Sequence, residues 1–152
     1  MATYQNGDFV IEDGVVIEYT GEGGEVIIPY GVKDIFFEAF YEFCLVESVM
    51  IPGTILEVSP FVFEGCCHLK EVTLEEGVYC VGSCSFNNCE KLETINLPKS
   101  IACLESKCFS NCPSLKEINY AGKKEEWETV IKGEDWDNNT GKYNINFDYM
   151  NV

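Results

Sequence analysis

The sequence contains no arginine and a single histidine, and its 10 basic residues, all lysines, face 26 acidic ones for a net charge of −16. Proteins that neutralise phosphates or read guanine edges rely on clustered Lys and Arg, so this balance argues against a nucleic-acid partner. The same deficit argues against anionic membranes. Long apolar runs are missing too: no stretch approaches the ~18–20 residues needed to span a bilayer, which excludes membrane insertion by a helix. Met1 to Asp8 shows neither a basic n-region nor an apolar h-region, so the expected compartment is the cytoplasm. The alternative is a secreted or cell-surface protein whose leader has been removed. Catalytic signatures are equally scarce. There is no Walker A motif, no HExxH and no GxSxG elbow, and nothing singles out a carboxylate pair for acid–base work. The expectation is a protein that is not an enzyme and needs no cofactor.

What the sequence does have is self-similarity. Cut from Glu25 in steps of 23, it reads EVIIPYGVKDIFFEAFYEFCLVE, SVMIPGTILEVSPFVFEGCCHLK, EVTLEEGVYCVGSCSFNNCEKLE and TINLPKSIACLESKCFSNCPSLK, with no gaps. A fifth copy opens as EINYAGKKEEW and then departs. Apolar columns run down the stack. The second position holds Val26, Val49, Val72, Ile95 and Ile118, and the fourth holds Ile28, Ile51, Leu74, Leu97 and Tyr120. The sixteenth is Phe40, Phe63, Phe86 and Phe109. Positions 2 and 4 share one face of a strand, so five strands, from Val26–Ile28 to Ile118–Tyr120, are predicted to stack in parallel at roughly 4.8 Å. One unit cannot bury these columns alone, so its neighbours must supply the other wall.

The pattern resembles the BspA-like leucine-rich repeats, whose units carry Leu-x-x-Val-x-Ile-Pro and then Ala-Phe-x-x-Cys. Here it stands as Leu92-Glu93-Thr94-Ile95-Asn96-Leu97-Pro98, with Phe86-Asn87-Asn88-Cys89 and Phe109-Ser110-Asn111-Cys112. The resemblance implies an α+β right-handed solenoid with a parallel sheet on one face, and a role in binding or adhesion. The expected organisation is one domain over 1–152: an N-terminal cap at 1–24, four repeats at 25–116, and a partial repeat with C-terminal cap at 117–152. Phe9 to Tyr19 reads as a hairpin about Asp13-Gly14. Lys123 to Lys132 reads as an amphipathic helix turning Trp127, Val130 and Ile131 inward. Tyr143 to Tyr149 alternates as a half-buried strand.

Nine cysteines invite a disulfide or metal reading, but the repeat accounts for most of them. Cys66, Cys89 and Cys112 form one interior column of small apolar side chains. Cys44 and Cys67, and Cys80 and Cys103, stand one repeat apart. Such pairs are close enough by Cα distance for a bridge, but side chains in a ladder project side by side. Structural thiols are therefore expected, with little loss of stability on reduction. His68 is expected to be an exposed bystander, with no hydrogen bond to Cys66 or Cys67. Asp135-x-Asp137-x-Asn139 resembles the start of a calcium loop but lacks its glycine and its closing glutamate, so no metal is expected. Asn138-Asn139-Thr140 fits a glycosylation sequon, which matters only in a eukaryotic secretory setting.

A binding site is expected on the strand-lined face. The third strand position points away from the core and carries Ile27, Met50, Thr73, Asn96 and Asn119, flanked by Glu25 at the first position. Phe36, Phe37 and Tyr41 in the first repeat either add to this patch or pack as core beneath the N-terminal hairpin. The function so indicated is non-enzymatic protein binding, as scaffold or adhesion module, with self-association possible. The alternative is an acidic decoy for a basic target or a nucleic-acid mimic. Residues 1–24 carry −5, the four repeats −4, −1, −4 and +2, and residues 117–152 carry −4. A phosphate mimic wants a continuous acidic track, and the fourth repeat interrupts it.

Overall fold

The chain enters the solenoid through an antiparallel meander of β1 (Thr3–Asn6), β2 (Phe9–Glu12) and β3 (Val15–Tyr19). These assignments come from a computed structural model that describes residues 3–149. The β2–β3 turn places Asp13 and Gly14 both at positive φ, 49° and 82°, as a type I′ turn requires. The predicted hairpin is therefore present, with one strand more than expected. The overlooked signal was Asn6-Gly7, a second hairpin dipeptide. Strand β3 does more than cover the end. It pairs in parallel with β5 (Asp34–Ile35), so the cap lies in line with the solenoid's own strands.

Each following unit contributes two strands. The longer set is β4 (Gly24–Ile27), β6 (Val46–Ile51), β8 (Glu71–Leu74), β10 (Thr94–Leu97), β12 (Glu117–Tyr120) and β14 (Asn144–Asn146), which form one parallel sheet in that order. Val49 pairs with Val72, Val72 with Ile95 and Ile95 with Ile118, each 23 residues on. The shorter set, β7 (Glu57–Val58), β9 (Cys80–Val81), β11 (Cys103–Leu104) and β13 (Ile131–Lys132), forms a second parallel ladder. Helix is confined, among the described residues, to a 3-10 turn at Phe37–Ala39 and to α1 (Lys124–Thr129).

The interior lies between the ladders and is filled by the repeat columns. Phe40, Phe63, Phe86 and Phe109 are fully buried, and consecutive rings stand 5.1–5.2 Å apart. Tyr19 extends the column under the cap, 4.8 Å from Phe40. The Cys66, Cys89 and Cys112 thiols each donate to a phenylalanine carbonyl of the preceding turn, at Phe40, Phe63 and Phe86 respectively, each at 3.3 Å. A weak S–H donor at that column ties each turn to the one before it, adding to the backbone bonds that the Phe40 and Phe63 carbonyls accept from the Phe43 and Cys66 N–H groups. Burial pushes the Cys66 and Cys112 thiols up to about 12 and raises Cys89 and Cys108 as well, which leaves all four thiols protonated and inert.

From the second repeat on, two corners of each turn use the left-handed region, and the first repeat has the second of them alone. One is Phe61, Cys84, Lys107 and Asp135, with φ from 54° to 67°. The other is Glu42, Gly65, Asn88, Asn111 and Asn139. Asn and Gly are the residue types that tolerate this conformation at least cost. The second corner is bound from turn to turn, with Asn111 Nδ2 donating to Asn87 Oδ1 and Asn139 Nδ2 to Asn111 Oδ1. Asp135 and Asn139, which looked like calcium ligands, are thus the corner residues of one more turn.

That extra turn corrects the C-terminal reading. Six strands stack in the main sheet, because Ile145 pairs with Ile118. The helix ends at Thr129, and Ile131 then joins the second ladder opposite Cys103. Trp127 and Val130 are buried as expected, but Ile131 is 72% exposed. The helix inserts extra residues between β12 and β13, so Leu104 pairs with Lys132 rather than with Trp127, the residue 23 positions on. Trp136 takes the place of Cys108 one turn on, its carbonyl accepting from the Phe109 N–H at 2.8 Å as the Cys108 carbonyl accepts from Phe86.

Candidate functional site

The outward column of the main sheet divides into two chemically different halves. In the N-terminal half, Ile27 is 54% exposed and Met50 37%. In the C-terminal half Thr73, Asn96 and Asn119 face outward but are nearly buried, because they bond to one another along the sheet. Asn96 Nδ2 donates to Thr73 Oγ1 at 3.0 Å, Asn119 Nδ2 to Asn96 Oδ1 at 2.9 Å, and Asn146 Nδ2 to Asn119 Oδ1 at 2.7 Å. An amide both donates and accepts along one line, so identical residues one repeat apart form a continuous ladder. Asn119→Ala breaks it in the middle, leaves the Asn96 carbonyl oxygen without its donor, and is expected to cost about 1–3 kcal/mol by chemical denaturation.

Carboxylates flank the column. Glu71 Oε2 accepts from Asn96 Nδ2 at 3.5 Å and Glu117 Oε2 from Asn146 Nδ2 at 3.1 Å. A shallow groove of about 100 Å³ lies over Glu25, Ile27, Ser48, Met50, Glu71 and Thr73. A larger one of about 360 Å³ continues from Met50 past Leu74 and Leu97 to Ala121. Together they follow the stacking direction, crossing successive strands.

The first-repeat aromatics belong elsewhere. Phe36, Phe37 and Tyr41 are 43%, 42% and 44% exposed, so they are not core of the cap. That core is Phe9, Tyr19, Phe40 and Phe43. Phe36 and Phe37 pack edge to face at 5.1 Å in the segment after β5, beside the second ladder and off the Ile27–Met50 column. Neighbouring carboxylates mark this side. Glu42 beside the Tyr41 hydroxyl raises its pKa, and burial, followed by Glu42, raises that of Glu64. Sequence reasoning missed a further apolar column at the ninth position, where Leu56 and Tyr79 are 56% and 44% exposed over a groove of about 600 Å³ shared with Lys33, Asp34 and Glu57. The signal was there: the ninth position is Lys33, Leu56, Tyr79 and Ala102, too mixed to be core.

The cysteines require a correction. Cys44 is bonded to Cys67 and Cys80 to Cys103. Stacking at one-repeat spacing sets the paired Cα atoms 5.0 and 4.8 Å apart, within bridging range, and each sulfur turns along the stacking direction to meet its neighbour. Cys66, Cys84, Cys89, Cys108 and Cys112 remain free. His68 is exposed, but its Nδ1 lies 3.5 Å from Cys67 Sγ, closer than neighbours in sequence were expected to come. The groups Cys44–Cys67–His68 and Cys80–Cys103–Glu105 each bring three side chains of metal-ligating type within 4.8 Å; the disulfides account for that closeness. No helix of the described residues is long and apolar enough to cross a membrane.

Parallel ladders at 23-residue spacing, closed by caps and offering an outward strand column, define a leucine-rich-repeat solenoid. The chain belongs to the BspA-type leucine-rich repeat family, whose repeat region matches residues 21–130 in six copies. Among solved structures, it is similar to a leucine-rich cell surface protein from Faecalibacterium prausnitzii, with 26% identity and a TM-score of 0.59, over 81% of this chain and 40% of that one. It shares its fold with the pneumococcal vaccine antigen PcpA, at 12% identity and a TM-score of 0.50, over 96% of this chain and 50% of the other. The chain thus spans half or less of the length of these two proteins. No curated protein matches the sequence.

Proposed function

We propose that the chain is a non-enzymatic protein-binding module that receives an extended partner segment along the outer column of its main sheet, with the contact centred on Ile27 and Met50. The observation that carries this reading is the exposure of those two adjacent apolar side chains at the head of a column whose other members are consumed by their own hydrogen-bonded ladder. Exposed apolar clusters bounded by polar groups mark interaction surfaces, and Met is enriched in interface cores. Glu25 and Glu71 line the same groove, which suits a partner segment that sets lysine or arginine beside an apolar anchor. A second copy suits it less well, since residues 1–24 and the first repeat carry −5 and −4 and like faces repel. The +2 of the fourth repeat counts against nucleic-acid mimicry.

The compartment we infer is an oxidising one, at or beyond the cell surface. Two disulfides support it, because reducing cytoplasm does not maintain structural bridges in most organisms. The F. prausnitzii protein, described as a cell surface protein, points the same way. This inference replaces the cytoplasmic expectation.

Ile27→Lys with Met50→Lys tests the site. Partners retained by the wild-type chain, and by a control substituted at exposed Lys99, are expected to be lost from the double variant. Its melting temperature should stay within a few degrees of wild type, since surface changes cost roughly ±0.5 kcal/mol each. Unfolding of the double variant would show these residues to be core, and undiminished retention would move the site elsewhere.

A further inference from the structure

The molecule carries two disulfides of identical span in different chemical settings. Cys44–Cys67 joins the first and second repeats across 23 residues, and Cys80–Cys103 joins the third and fourth across the same separation. Beside the first stands His68, with Nδ1 3.5 Å from Cys67 Sγ. Beside the second stands Glu105, with a carboxylate oxygen within 4.8 Å of both sulfurs. Access differs as well. Cys44 and Cys67 are both half-buried and His68 is exposed, whereas Cys80 is buried.

We propose that Cys44–Cys67 is a thiol-exchange site, a covalent docking point for a ligand or partner that carries a free thiol. An incoming thiolate attacks Cys44 Sγ. Its sulfur forms a new S–S bond as the Cys44–Cys67 bond breaks, and the electron pair leaves on Cys67. His68, with Nδ1 3.5 Å from Cys67 Sγ, is placed to pass a proton to the departing sulfur, so Cys67 is the better leaving group and Cys44 keeps the adduct. The products are a mixed disulfide on Cys44 and a Cys67 thiol. Attack by Cys67 on the mixed disulfide expels the ligand thiol and restores the bridge, so the cycle needs no outside oxidant. At Cys80–Cys103 the Glu105 carboxylate repels the incoming thiolate and disfavours the departing one, and that bridge stays structural.

The test exposes the native chain to glutathione and, in parallel, to a cysteine-bearing peptide, traps free thiols with an alkylating agent over time, and maps the adducts by peptide mass spectrometry. Cys44–Cys67 is expected to open roughly tenfold faster than Cys80–Cys103, with the adduct on Cys44. Which thiol reacts faster identifies whether small thiols or protein cysteines are the natural ligand class. His68→Gln should slow only the first bridge, and His68→Lys should recover part of the rate. Lysine fits that column, since Lys91 occupies it in the next repeat. The rate at Cys80–Cys103 reports whether each variant keeps its fold. Equal opening of the two bridges, an adduct on Cys67, or a His68→Gln rate matching wild type would overturn the proposal.

Discussion

Phe86→Ala is expected to lower the stability of the solenoid by about 3–5 kcal/mol, read as a drop in the denaturation midpoint. Phe86 is fully buried and lies between two other rings, at 5.2 Å from Phe63 and 5.2 Å from Phe109, nearly parallel to both. Truncation removes the ring's burial and leaves a cavity that neither neighbour can fill, because each is held in its own turn by the ladders. The same change at Phe40 should cost differently, since its outer neighbour is Tyr19 of the cap rather than another repeat. A loss well under 1 kcal/mol at Phe86 would mean that the column is not the interior spine described above.

Reduction of both disulfides is expected to lower the melting temperature by on the order of 10 °C or more. Each bridge closes a loop of 23 residues, worth about 3 kcal/mol in the chain-entropy account, and a kcal/mol shifts the midpoint of a domain this size by about 2–4 °C. The sequence alone predicts nearly unchanged stability, because side chains in a parallel ladder project side by side; in the fold the paired sulfurs turn along the stacking direction and meet. Replacing Cys44 and Cys80 together with serine should reproduce the loss without reductant. Equal melting temperatures with and without reductant would show the bridges to be absent or energetically idle.

These two effects show where the sequence was legible. Columns repeated at a fixed interval carry their own proof, so the second, fourth and sixteenth positions were recognisable without any structure. The register of Val49, Val72, Ile95 and Ile118 followed directly. The C-terminal turn was harder because α1 breaks the interval. Once the spacing changes, Asp135 and Asn139 no longer line up with Lys107 and Asn111 in a fixed-step cut, although they continue the same corners in space. The binding face was legible in direction but not in exposure. Alternation places Asn96 and Asn119 outward, yet whether an outward amide meets solvent or its own neighbour depends on the residue a whole turn away. His68 shows the same limit, since its approach to Cys67 depends on side-chain rotation.

The fold and its outward column depend on the 23-residue register, and the disulfides report it directly. Peptide mapping of the unreduced protein, with free thiols blocked during denaturation, should find two linkages, Cys44–Cys67 and Cys80–Cys103, each one repeat apart, with Cys66, Cys84, Cys89, Cys108 and Cys112 alkylated. A native linkage between cysteines of different columns, such as Cys44 to Cys89 or Cys80 to Cys112, would place the turns in another register and contradict the stacking on which the rest depends.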